Sequence, residues 1–275
     1  MRYLAAVPWL VLISSCVPVR ETIAPPAPIV SETKPAVTVE RPVAPSGPME
    51  SARATNREIS GIVFEGVSFD SRSHRLVVVD QAGGPGSRFP DATGAGRSHG
   101  GLAAVNAGFF TPEGEPLGLV IASGKPAGAW NSASSLGSGV WHEDSSGQSA
   151  ISRRENLGRS GANAMRELLQ AGPMLIENGR TVSGLDSIKS SVRTVTLWDG
   201  GSRWWIGRAS ACTLAELAAA IASGDPAGWP VRHALNLDGG RSTDLWISGS
   251  IPGGPVSIRP PWNRPVRNFL ILAPR

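Results

Sequence analysis

Ala234-Leu235-Asn236-Leu237-Asp238-Gly239-Gly240-Arg241-Ser242-Thr243 is an apolar, strand-like run that ends in one carboxylate. Two glycines, a guanidinium and two hydroxyls follow at once. Glycine has no Cβ, so the backbone turns sharply there and its N–H groups can approach a ligand closely. A carboxylate at a strand end, backed by donors on a tight turn, suits an anionic substrate and the stabilisation of charge during its reaction. The same residues also fit a plain hairpin bend between two strands. Ala104-Val105-Asn106-Ala107-Gly108-Phe109-Phe110 has a similar form: a strand-like run with a polar side chain, then Gly, then two aromatics.

Working outward, apolar alternation predicts strands at Ile59 to Asp70, Arg75 to Asp80, Leu102 to Asn106 and Leu117 to Ala122. Further strands are expected at His233 to Leu237, Leu245 to Ile247 and Asn268 to Leu272. Asn178-Gly179, between Met174–Glu177 and Arg180–Ser183, is a type I′ hairpin signature. Asp199-Gly200-Gly201 joins a second pair, Val192 to Trp198 and Arg203 to Arg208. Gly161 to Gln170 has helical spacing, with Ala164, Met165, Leu168 and Leu169 on one side. Thr213-Leu214-Ala215-Glu216 is a capping box opening a helix with a stripe of Leu214, Leu217, Ala218 and Ile221. Many strands with two or three helices predict an α+β class: a mixed, largely antiparallel twisted sheet or partial barrel with packed helices, in a single domain. No repeat of 20 to 50 residues is visible.

The chain divides into three parts. Residues 1–16 have a short positive start, an apolar stretch from Leu4 to Ile13, and Ile13-Ser14-Ser15-Cys16, which resembles a bacterial lipobox with Cys16 as the lipidated residue. An ordinary signal peptide with an incidental Cys is the other reading. Residues 17–56 are Pro-rich and read as an extended linker. Residues 57–275 form the folded domain. The expected location is therefore a bacterial cell envelope, with the domain lipid-anchored and facing the periplasm or exterior. Cys212 is then the one cysteine left in the domain, which excludes an internal disulfide, and its place before a helix suggests a small buried hydrophobe.

The 41% hydrophobic content suits a well-cored globular protein. Net charge is only +4, and no dense basic run is interleaved with aromatics, which argues against nucleic acid as a partner. A mild basic balance fits an acidic or phosphate-bearing substrate. No sequence motif requires a cofactor or a metal. His142-Glu143-Asp144 has metal-ligand residue types, yet neighbouring strand residues point to opposite faces. His233 precedes the Asp238 strand and is a secondary acid/base candidate.

Several blocks agree in order. Val105-Asn106-Ala107-Gly108-Phe109-Phe110 with Pro116-Leu117-Gly118, then Ala171-Gly172-Pro173-Met174-Leu175 with Asn178-Gly179, then Arg193-Thr194, then Ala234 to Thr243, then Pro265-Val266-Arg267-Asn268 resemble the blocks of the phosphodiester glycosidase family. That family includes the animal lysosomal enzyme that removes N-acetylglucosamine from mannose-6-phosphate diesters. The resemblance spans about Leu102 to Leu272. Two positions depart from it: Arg241 stands where a small residue is usual, and Ala107 where Gly is commoner.

The resemblance implies a glycosidase that hydrolyses a sugar-1-phosphodiester. The bond from the anomeric carbon to oxygen breaks through an oxocarbenium-like state. Its phosphate leaving group is already a good anion, so charge stabilisation matters more than protonation. Asp238 is the candidate carboxylate, and Arg193 and Arg241 are candidate phosphate clamps. Asn106 either orients a sugar hydroxyl or braces the turn. Ser242 and Thr243 either donate to phosphate or cap the turn. Gly108, Gly172, Gly239 and Gly240 belong to the substrate-binding set, chiefly by shaping the backbone. Trp130 and Trp141, in Gly/Ser-rich surroundings, are candidates to stack on a sugar, whereas Trp198, Trp204 and Trp246 read as strand core. A non-catalytic glycan-binding envelope lipoprotein and a phosphodiesterase cleaving the P–O bond are the alternatives.

Overall fold

The computed structural model describes residues 48–275. The signal segment 1–16, its Cys16 and most of the linker 17–56 lie outside the described residues. Within them, seventeen strands form three sheets, and every strand pair is antiparallel. The expected single sheet is thus corrected to three, while the α+β class and antiparallel pairing stand.

The first sheet has the order β1 (Arg53–Ile59), β2 (Ile62–Asp70), β13 (Arg203–Cys212), β12 (Ser191–Trp198), β14 (His233–Asn236), β10 (Met174–Glu177), β11 (Arg180–Thr181). The second runs β16 (Val256–Ile258), β15 (Leu245–Ile247), β4 (Ala103–Asn106), β17 (Asn268–Pro274), β3 (His74–Asp80). The third runs β6 (Lys125–Ala127), β5 (Val120–Ala122), β9 (Glu167–Ala171), β7 (Gly139–Glu143), β8 (Ser149–Arg153). Inner faces of all three meet in one core. Val67 and Trp204 of the first sheet, Val105 and Leu270 of the second, and Trp141 and Leu169 of the third belong to the same buried cluster.

The outer face of each sheet carries one helix. α3 (Leu214–Gly224) buries Leu217, Ala218 and Ile221 against Phe64, Val195 and Trp205 of the first sheet. α1 (Ala92–Ser98) buries Ala92 and Ala95 with Ala104, Trp246 and Phe269 of the second. α2 (Arg154–Ala162) buries Leu157 and Ala162 with Val140 and Leu168 of the third. Covering both faces explains why β13 is apolar at consecutive positions: Trp204 and Ile206 face the common core and Trp205 faces the α3 side.

Local chemistry accounts for the turns. Asn178 (φ 51°) and Gly179 (φ 75°) take the left-handed values that a two-residue hairpin demands. At α3 the Thr213 hydroxyl accepts from the Glu216 N–H while the Glu216 carboxylate accepts from the Thr213 N–H, closing the capping box.

Two segments differ from expectation. Ile59 to Asp70 is not one strand, because Ser60-Gly61 turns the chain and β1 pairs back on β2. β1 starts at Arg53, inside the stretch read as linker; its largely exposed face shows no apolar alternation to betray it. Gly161 to Gln170 is not a helix: α2 ends at Ala162, and Leu168 and Leu169 lie in β9. Every residue of β9 is buried, so its sequence lacks the alternation of a half-exposed strand.

Candidate active site

β14 and β15 belong to different sheets, so Asp238-Gly239-Gly240 is no hairpin bend. It is the crossing from the first sheet to the second. Leu237 N–H still donates to the Thr194 carbonyl of β12 (2.8 Å), but the next N–H, that of Asp238, donates to the Ala107 carbonyl at the end of β4 (2.9 Å). The turn continues as a short 3-10 segment, Gly240–Ser242, with Gly240 at φ 62°. A Cβ on Gly239 would stand 2.7 Å from the Val192 carbonyl oxygen, so only glycine lets the crossing lie this close to β12.

Asn106 holds the crossing in place. Its Nδ2 donates to the Asp238 carbonyl (2.6 Å), and its Oδ1 accepts from the Thr194 hydroxyl (2.7 Å) and the Asp244 N–H (3.0 Å). One fully buried amide therefore joins β4, β12 and both ends of the turn. Of the two roles open to it, this geometry is the brace; a side chain with no exposed surface does not reach a substrate. Thr243 is equally buried, with its hydroxyl between Thr194 Oγ1 (3.4 Å) and the Val192 carbonyl (3.5 Å).

The Asp238 side chain is half-buried at the mouth of this crossing. Burial pushes its carboxyl up to about 6; a hydrogen bond from Ser242, the Gly239 N–H and the charge of Arg264 oppose that rise. Ser242 is itself buried, so its hydroxyl turns inward to the carboxylate. Asp244, two residues on, is occupied elsewhere: its Oδ2 accepts from the Ala92 N–H (2.8 Å) and from Arg259 (3.0 Å).

Arg193 lies beside the turn, its Cδ 3.8 Å from the position of a Gly239 Cβ. Its Nε donates to the Cys212 carbonyl (3.1 Å) and its Nη2 to the Lys189 carbonyl (2.6 Å). Two of its three nitrogens thus serve the protein, which leaves the Nη1 edge, not a full fork, for an anion. Burial also lowers its pKa from the ordinary value. Arg241 is exposed at the rim, with Nε donating to the Trp262 carbonyl (3.1 Å).

The remaining predicted glycines shape the backbone around the crossing. Gly108 donates its N–H to Asn268 Oδ1 (2.6 Å), which ties the end of β4 to the start of β17. Gly172 is buried: its carbonyl accepts from Asn236 Nδ2 (2.9 Å), and a Cβ there would fall 2.2 Å from the Ser135 carbonyl oxygen. Gly172 therefore packs rather than contacts a ligand.

Other expectations are corrected. Trp141 is completely buried in the common core, and half-buried Trp130 packs on the α2 cluster, so neither is a free sugar platform. Trp198, Trp204 and Trp246 are core, as expected. His233 lies at the far end of β14 from Asp238, stacked on Trp198 at 5.2 Å between ring centroids. His142 is buried with Nε2 3.0 Å from Ser152 Oγ, while Glu143 bonds Ser149. Among the described residues, no group of three or more His, Cys, Asp or Glu could hold a metal ion. Cys212 is a buried free thiol whose pKa burial raises to about 11, which suits a packing role.

Arg264 and Trp262 are the residues that sequence reasoning missed. Arg264 N–H donates to the Arg241 carbonyl (3.1 Å), and its guanidinium stands 5.7 Å from the Phe110 ring centroid. The adjoining Pro265–Asn268 block was visible in sequence, but its function here is largely structural. Arg267 pairs with both oxygens of Asp80 (2.9 and 3.0 Å) and so ties β17 to β3.

A sequence model of the phosphodiester glycosidase family matches residues 99–273. No curated protein sequence matches the chain. Among solved structures the fold is similar to the zebrafish N-acetylglucosamine-1-phosphodiester alpha-N-acetylglucosaminidase catalytic domain, auto-inhibited by its pro-peptide. The TM-score is 0.56 at 18% identity, over 86% of this chain and 87% of that one. It is also similar to a hypothetical protein from Synechocystis, with TM-score 0.56 and 18% identity over 81% of this chain and 61% of that one. A protein from Burkholderia pseudomallei matches with TM-score 0.51 and 14% identity, over 78% and 74% of the two chains. At these identities the likeness is one of fold.

Proposed function

Because the chain belongs to the phosphodiester glycosidase family, we propose that it hydrolyses a sugar-1-phosphodiester at the bond between the anomeric carbon and oxygen. The observation that carries the reading is Asp238: a recessed carboxylate at a braced crossing between sheets, with arginines on the same turn and its neighbour. In the proposed reaction the C–O bond breaks and its electron pair leaves on the phosphate oxygen. Water forms the new bond to the anomeric carbon and gives up one proton. Asp238, ionised above about pH 6, stabilises the positive sugar and accepts that proton. Arg264 and the free edge of Arg193 offset the phosphate charge, and Asn106 acts as a positioning residue through the Asp238 backbone.

Incubating the full-length protein with a panel of sugar-1-phosphodiesters tests this. Reducing sugar plus a phosphomonoester is the expected product pair. Sugar-1-phosphate instead would mean P–O cleavage, and binding without turnover would mean a glycan-binding protein. The envelope location rests on the sequence of residues 1–56, with Cys16 as the anchor. Fatty-acid labelling in the native host should mark the wild type and not Cys16→Ala; equal labelling of both removes the anchor. Among the described residues no helix is long and apolar enough to cross a membrane.

A further inference from the structure

A phosphodiester has two sides, and the rim beyond Asp238 carries a feature suited to the side that leaves. Trp141, Trp198, Trp204, Trp205, Trp229 and Trp246 are buried, whereas Trp262 is 64% exposed. Its segment is nonetheless fixed. Arg241 Nε donates to the Trp262 carbonyl (3.1 Å), Asn263 Nδ2 donates to the Thr243 carbonyl, and Arg264 N–H donates to the Arg241 carbonyl (3.1 Å). Three hydrogen bonds thus clamp residues 262–264 onto the turn that begins at Asp238, and the indole projects from that clamp into solvent. Arg241 spends only its Nε in this way; among the described residues its Nη groups have no protein acceptor. Arg264 is steered by the Phe110 ring face. An indole face stacks on the C–H face of a sugar or on a base, and a guanidinium fork matches phosphate oxygens.

We propose that Trp262, held beside Arg241 and Arg264, is the residue by which this chain selects the leaving side of its substrate, its indole stacking on a ring carried by the leaving phosphate and so disfavouring an alkyl phosphate. The proposal rests on the reading of Asp238 as the reaction centre. It makes Trp262 the specificity-determining residue, because phosphate charge is common to every candidate and the ring is not.

The test separates this subsite from the hydrolase reading. Full-length protein is titrated by calorimetry with a hexose 6-phosphate, a nucleoside 5′-monophosphate and ethyl phosphate. At least one ring-bearing monoester is expected to bind about tenfold or more tighter than ethyl phosphate, and the tighter of the two identifies the ring. Trp262→Ala should abolish that preference and Trp262→Phe should keep most of it. Diesters of one sugar with the same three leaving groups should show a parallel preference in kcat/KM, carried by KM. Ethyl phosphate binding as tightly as the ring-bearing esters, binding of none of them, or a preference that survives in Trp262→Ala overturns the subsite. A Trp262-dependent preference in binding with no diester hydrolysed leaves a ring-and-phosphate binding site at Trp262 but removes the hydrolase reading, and with it the leaving-side role. Turnover without ring preference does the reverse.

Discussion

Asp238 gains its properties from a crossing that no neighbouring residue reveals. Burial raises its carboxyl to about 6 while Ser242, the Gly239 N–H and Arg264 hold the ionised form in reach. If Asp238 works as a carboxylate, kcat/KM should climb as pH rises through about 6 and then level; a rate that falls through that range would make it an acid instead. Asp238→Asn should lower kcat by about 10³-fold or more, and near-wild-type turnover would exclude it. Asn106 predicts a different signature. Asn106→Ala strands the Asp244 N–H and the Asp238 carbonyl and leaves the Thr194 hydroxyl only its longer bond to Thr243, at a cost of about 3 kcal/mol in urea unfolding. Loss of activity with full stability would mean that Asn106 touches substrate after all. The Asp238 turn and the Asn106–Gly108 segment were legible in sequence as local motifs because each signal sits within a few residues of its neighbours; that Asn106 braces and Gly172 packs was not. Trp262 and Arg264 were not, because hydrogen bonds between segments twenty residues apart, from the Arg241 and Asn263 side chains and the Arg264 N–H, put them beside the turn.

At the scale of elements, legibility followed locality in the same way. Asn178-Gly179 and the Thr213–Glu216 box declare themselves within four residues, and both form as predicted. The pairing of β4 with β15 and β17, which creates a separate second sheet, spans more than 130 residues and leaves no local trace. β9 misled for a physical reason: burial on both faces erases the period of two, and consecutive leucines then read as a helix. The β2–β13 pair shows how tightly the elements fit. Gly66 lies opposite Gly207, and the Trp205 ring covers them; a Cβ on Gly66 would be 2.3 Å from the Ile206 carbonyl oxygen and 2.4 Å from Trp205 Cζ2. The backbone oxygen cannot yield cheaply. Gly66→Ala should therefore cost about 2 kcal/mol, and Trp205 fluorescence should report the displacement; a variant as stable as wild type would show that the sheet relaxes freely.

Across the whole molecule, buried groups set opposing responses to acid. Asp238 titrates near 3.8 unfolded and about 6 folded. Between those values the native state holds a proton that the unfolded chain has lost, so this group makes stability fall as pH rises. Burial of Glu167 and Asp244 raises their carboxyls too and acts with the same sign. His142 works the other way. Burial lowers it from 6.5 to about 4, so between those values the unfolded chain holds a proton that the native state lacks, and stability rises with pH. From pH 4 to 6 the Asp238 and His142 slopes offset one another. Removing one should expose the other. Asp238→Asn should be at least as stable as wild type at pH 8, where it relieves a recessed charge, and should lose stability faster than wild type on acidification from pH 6 to 4. The added slope should approach about 1 kcal/mol per pH unit. His142→Gln should change the slope in the opposite direction. Urea unfolding at pH 8, 6 and 4.5 measures all three proteins. Parallel stability curves would mean that Asp238 is as well hydrated in the folded protein as in the unfolded chain, and the recessed carboxylate on which the proposed chemistry depends would be lost with it.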